Sequence, residues 1–194
     1  MARYDEVRTA FWDSNGGDRD GEQPPLTDEL VAEAERVLGV TLPATLLDLL
    51  RLHNGGAVAP AWNALPTGEL FAELMGIGRL PTTGTTGTTG TTDATGTTDA
   101  TGTTDATGTA AGSVAPLSVL DTPYLVAEWE LPSPIVLIAG EGHWWIGLDY
   151  RQCGPRGEPS VTWFDADDET ELALATDFRS FVEGLVPSGD PATR

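Results

Sequence analysis

His143 and Cys153 stand on either side of the stretch "WWIGLDYRQ", and a thiol beside an imidazole is the pairing that activates a nucleophile. Nothing in the sequence brings the two together, and a cysteine next to "GPRGEP" reads as an ordinary hairpin residue. The other histidine, His53, falls at the end of a helical segment, where the helix dipole and a capping bond account for it. "DADDETE", from Asp165 to Glu171, has the carboxylate density of a calcium loop. An EF-hand starting at Asp165 needs glycine at its sixth position and glutamate at its twelfth, and the chain supplies Thr170 and Thr176. The stretch therefore reads as a solvated turn between strands. "GEGHWW" lacks the helix that a phosphate-binding glycine loop must lead into. No GxSxG, HExxH or Walker pattern occurs. The sequence thus offers no catalytic, cofactor or metal residues, and the expectation is a protein that is not an enzyme.

The paired tryptophans Trp144 and Trp145 are more informative. Neighbouring residues of a strand point to opposite faces of a sheet, so the two rings must part. Trp144 falls in register with Ile146, Leu148 and Tyr150 and is expected to enter the core. Trp145 shares its face with His143, Gly147 and Asp149, a polar row. Its ring is either covered by a helix or by the loop bearing Trp62, or left as an interface anchor. In the second case Trp145, Asp149, Glu141 and Trp62 are the partner-binding residues, since aromatic anchors dominate binding hot spots. Carbohydrate stacking is a third option, but it needs several polar groups around the ring.

The elements that position these residues can be read from periodicity. Residues 3–12 suit a short helix presenting Tyr4, Val7, Phe11 and Trp12, followed by the open loop "DSNGGDRDGEQPPL". In "TDELVAEAERVLGV", Thr27 is placed to N-cap a helix carrying Leu30, Val31, Ala34, Val37 and Leu38, with Gly39 closing it. A second helix starts at Pro43, presents Leu46, Leu47, Leu49 and Leu50, and stops at Asn54-Gly55-Gly56. Further on the period changes to two. "IVLIA", Ile135–Ala139, reads as a central strand, "HWWIGLDY" as the next, "SVTWFDA" as a third and "ELALA" as a fourth. Phe178, Phe181, Val182 and Leu185 form the stripe of a closing helix. Helices first, strands in series and a final helix give an α+β fold with a twisted, mainly antiparallel sheet flanked by helices.

Residues 82–112 interrupt this pattern with three TTG triplets running into TTDATG hexads. Without Leu, Ile, Val or an aromatic, the segment cannot bury enough apolar surface to offset the entropy of ordering. It is expected to be a disordered insertion in one domain spanning residues 1–186, with 187–194 as a frayed tail. The charge balance is 30 acids against 10 arginines with no lysine, a formal net charge of −20. That argues against nucleic acid and anionic membranes as partners, and it suits either plain solubility or attraction to a basic protein. No apolar run approaches the ~20 residues of a bilayer span. The N-terminal residues lack a secretory h-region, and one cysteine excludes an internal disulfide, so a cytoplasmic protein is expected.

Two blocks of the chain resemble a known family. "LTDELVAEAERVLGVTLPATLLDLLRLHNGG" is similar to the opening of the Smi-one/Knr-four family of the SUKH superfamily, through Leu26, Glu35, Leu38, Gly39, Leu42, Pro43, Asn54, Gly55 and Gly56. "GHWWIGLDYRQCGPRGEPSVTWFDADDETELALATDFRSFVEGL" resembles its strand–hairpin–strand–helix ending. Residues 57–80 and 113–134 match weakly, and the repeat departs from the pattern. The resemblance implies a SUKH-like α+β domain without common catalytic residues. It also implies a protein partner. Many bacterial members are immunity proteins that bind and block a cognate toxin, often a nuclease, and the yeast member is a regulator of cell-wall synthesis. The expected function is neutralisation of a toxin, such as a basic nuclease, by surface complementarity. An intracellular adaptor or regulatory module is the alternative, and a small hydrolase using His143 and Cys153 is a third class.

Overall fold

The computed structural model describes residues 3–13, 23–65, 69–78 and 117–188. The repeat 82–112 and all but the first two residues of the tail 187–194 lie outside them. Residues on both sides of the repeat belong to one compact unit. The fold is α+β, and its helical part follows the sequence closely. Helix α1 covers Arg3–Thr9 and buries Tyr4 and Val7, with Phe11 buried just beyond it. Helix α2, Asp28–Leu38, begins at Thr27, whose hydroxyl accepts from Leu30 N–H. It ends at Gly39 in the left-handed region, φ +71°, where a residue without Cβ costs least. Pro43 precedes helix α3, Ala44–Leu52, whose Leu46, Leu47, Leu49 and Leu50 are all buried.

The chain then makes a small two-stranded sheet, β1 (Gly56–Ala57) with β2 (Glu73–Leu74). The Asn54-Gly55-Gly56 turn does more than end α3. Asn54 is buried, and its amide donates to Pro24 O at 2.6 Å and Ile77 O at 3.0 Å while its oxygen accepts from Ile77 N–H at 2.9 Å. It pins two distant segments to the end of the helix.

Helix α4, Thr122–Glu128, leads into the main sheet. That sheet is an antiparallel meander of β3 (Ile135–Glu141), β4 (Trp144–Asp149), β5 (Ser160–Asp165) and β6 (Thr170–Ala175), in the order β3-β4-β5-β6. Helix α5, Phe178–Gly184, follows and buries Phe178, Phe181 and Val182, with Leu185 buried behind it. The segment Ile135–Ala139, expected to be central, is an outer strand. Its unbroken apolar run reflects burial of both faces, which does not require a strand neighbour on both edges. Its outer edge is closed by Met75 N–H, which donates to Ile138 O at 2.8 Å, and by Thr122 Oγ1, which accepts from Leu137 N–H at 3.0 Å.

Two hydrogen bonds tie the α2–α3 linker to the second half of the chain. Tyr150, at the end of β4, donates its hydroxyl to Thr41 O at 2.7 Å, and Thr41 N–H donates to Pro155 O at 2.8 Å. The linker between α2 and α3 is thereby fixed to the loop that follows β4. Burial raises the Tyr150 phenol well above its ordinary value, so the hydroxyl stays a donor. No described helix is long and apolar enough to cross a membrane.

Candidate protein-binding surface

Strand pairing assigns the side chains of the sheet to faces. Gly140, Trp145, Phe164 and Glu171 sit opposite one another on one face, as do Leu137, Gly147 and Thr162. Glu141, Trp144 and Asp165 share the other face, along with Ile146, Trp163 and Leu172. Trp145 and Trp144 therefore part as alternation requires: Trp145 takes the covered alternative, while Trp144, on the face of buried Ile146 and Leu148, packs against the core only in part. Trp145 is only 2 % exposed. Trp129, which caps α4, covers it at a ring separation of 6.3 Å, so a helix end and not the Trp62 loop provides the lid.

Glycine makes this burial possible. Gly140, with φ +152°, lies directly opposite Trp145, and a Cβ there would stand 2.4 Å from Trp145 Cε3. Gly147 does the same for Phe164, whose Cε2 would lie 3.2 Å from an added Cβ. The row that looked open in sequence is open only at the backbone, and large rings from the neighbouring positions fill it.

Asp149 is buried as well, at the end of that row. Arg151 donates to both its carboxylate oxygens, with Nη2–Oδ2 at 2.7 Å, and to both oxygens of Glu171 on β6. The guanidinium lies over the Phe164 ring, 5.8 Å from its centroid, and so spans β5 without bonding to it. Burial pushes the Asp149 carboxyl up, but the bonds from Arg151 outweigh it and hold the group below its ordinary value. Asp149 is a structural carboxylate with its bonding capacity committed.

The other face ends differently. Trp144 and Trp163 are partly exposed, because they stand at the end of the sheet remote from the junction of β6 with α5. They line a cleft of about 470 Å³ with Leu65, Leu70, Glu69, His143 and Asp165. Leu70 is 53 % exposed, and Leu172, next to Trp163 across the ladder, is 46 % exposed. Two indoles and two leucines thus form an apolar floor, with carboxylates and one imidazole around it. Aromatic rings ringed by polar groups are the composition of a protein-binding hot spot. The sequence reading missed Trp163 and Leu70; the tryptophan in "SVTWFDA", in register with the outward end of "HWWIGLDY", was the available signal.

Residues 25–184 match the model of the SMI1/KNR4 family (SUKH-1). The chain belongs to that family. No curated protein matched it.

The SUKH-1 match spans both sequence blocks, and the structure gives their shared residues structural work. Gly39 closes α2. Glu35 Oε1 accepts from Leu42 N–H at 2.9 Å, holding the turn into Pro43, and Asn54 anchors Ile77 and Pro24. These groups build the scaffold and do not line the Trp144–Trp163 cleft. A broader depression of about 840 Å³ between Gly39–Thr41 and Cys153–Gly157 borders the Tyr150–Thr41 clamp.

Of the four residues expected at an interface, the structure does not assemble a site. Trp145 and Asp149 are buried on one face, Glu141 is exposed on the other beside Trp144, and Trp62 packs against the core. His143 and Cys153 flank the two ends of β4, a six-residue strand about 20 Å long, so the His143 imidazole does not reach the thiol. Burial raises the Cys153 thiol, the opposite of an activated nucleophile. "DADDETE" is a hairpin turn: Asp165 Oδ1 accepts from Asp167 N–H at 2.9 Å and Asp168 N–H at 3.1 Å. Among the described residues no cluster of three or more His, Cys, Asp or Glu side chains is arranged to hold a metal.

Proposed function

We propose that this SUKH-1 domain is an immunity protein that binds and neutralises a cognate toxin domain through the Trp144–Trp163 face. The observation that carries the reading is the exposed aromatic cleft, with Glu69 and Asp165 at its rim, on a chain of net charge −20. An apolar floor supplies affinity on desolvation, and a carboxylate rim steers a basic partner into it. A nuclease toxin fits that charge, since its cleft must carry cations to hold nucleic acid.

Co-expression tests the reading. The toxin domain encoded beside this gene, expressed alone, arrests growth, and the native chain restores it by forming a stable complex. Unrelieved arrest with no complex for any neighbouring candidate overturns the proposal and favours a regulatory module that has no toxin partner.

A further inference from the structure

The two outer strands of the main sheet differ on their free sides. That of β3 is closed by Met75 N–H and Thr122 Oγ1. Among the described residues no backbone hydrogen bond is made on the outer side of β6, and Thr170–Ala173 are all exposed. Alternate residues of a strand turn their N–H and C=O groups away from the neighbour already paired. The outer side of β6 is therefore a ready ladder for one more strand.

Its surroundings select the occupant. Leu172 continues the row of Ile146 and Trp163 on one face, and Glu171 continues the row of Trp145 and Phe164 on the other. An added strand meets leucine and the tryptophan cleft on one side and a carboxylate on the other. The turn opening β6 adds Asp165, Asp167, Asp168 and Glu169. Arg151, the cation beside this edge, is already bonded to Asp149 and Glu171. A second copy of the chain would set the same carboxylates against themselves, with a charge of −20 on each molecule.

We infer that β6 accepts an extended basic segment of the partner by strand addition, apolar side chains facing Leu172 and Trp163 and arginine or lysine facing Glu171 and the Asp167–Glu169 turn. This deepens the partner-binding reading above and rests on it for the identity of the segment's owner. Backbone bonds supply affinity, and the alternation of side chains supplies register.

The test uses the full chain and a capped peptide of about nine residues alternating arginine with valine, long enough to match β6. Binding is expected to protect outward-facing β6 amides from hydrogen exchange and to weaken at least about tenfold when alternate backbone nitrogens on the pairing edge are methylated. A glutamate–valine peptide is expected not to bind. Equal affinity of the methylated peptide, protection away from β6, or no binding by the arginine–valine peptide overturns the inference. Leu172→Arg in the full chain separates the two readings. If it leaves both peptide and toxin binding intact, strand addition fails while the toxin reading stands. If the peptide pairs with β6 but no neighbouring toxin is neutralised, strand addition stands and the toxin reading fails.

Discussion

The indole of Trp145 lies across the backbone of Gly140, so close that a Cβ on the glycine would stand 2.4 Å from the ring. Each residue explains the other: the ring is buried because the opposite position has no side chain, and the glycine is needed because the ring is there. The contact also holds Trp129 in place, since α4 ends on the outer surface of the same indole.

Gly140→Ala is therefore expected to destabilise the domain by about 2–5 kcal/mol, from the steric overlap and a φ of +152° that L-residues resist. Denaturant unfolding measures it. In a Trp145→Ala background the overlap with the ring should vanish, so the loss should shrink to the part set by φ and by the 2.6 Å approach to Trp144 O. Equal losses in both backgrounds would show that the ring does not depend on the glycine.

Arg151→Met should cost about 2–4 kcal/mol at neutral pH, because it leaves Asp149 buried without its partner. The folded state holds the Asp149 carboxyl below its unfolded value, so its contribution is complete above the unfolded carboxylate range. It is lost as pH falls through the folded value. Stability of the native chain should accordingly drop in acid, and that part of the drop should shrink in Arg151→Met. Unfolding midpoints from pH 7 down to about pH 3 check the sign.

Two helix caps offer a paired comparison. Asp177 accepts from Ser180 N–H at 2.7 Å at the start of α5, and Thr27 accepts from Leu30 N–H at the start of α2. Replacing either by alanine should cost about 1 kcal/mol. Only the Asp177 loss should depend on pH: the bond from Ser180 N–H lowers its carboxyl, so the benefit is present above the ordinary aspartate range and fades below it. The Thr27→Ala loss should be flat with pH.

Asn54→Ala should destabilise by about 2–4 kcal/mol, since it strips partners from two buried backbone groups, Ile77 O and Ile77 N–H, and from the part-buried Pro24 O. Hydrogen exchange at the Ile77 amide should rise in step with the unfolding equilibrium.

Much of the fold was legible because local signals and tertiary packing agree. Thr27 and Gly39 bracket α2, four leucines of α3 are buried, and the Phe178–Leu185 stripe is buried in full. Four strands appear where a period of two begins. The position of β3 was misread because an apolar run reports covered faces and says nothing about edges. The expected interface residues lie apart for a related reason. Alternation separated Trp144 from Trp145 correctly, but it cannot say which face has a lid where. The cover over Trp145 comes from Trp129, in a segment that matches the family pattern weakly, and the room for it comes from Gly140. Asp149 looked like a free interface charge because its partner, Arg151, lies two residues beyond it on a strand that has already turned.

In the proposed division of labour the Trp144–Trp163 face binds the partner while Trp145 serves the core. Titration calorimetry of the purified chain against the proposed toxin partner, native and Trp144→Ala/Trp163→Ala, separates the two roles, with unfolding midpoints measured in parallel. The double variant should bind at least about a hundredfold more weakly, as loss of two aromatic anchors entails, with the domain still folded. Native affinity in a folded double variant would contradict it.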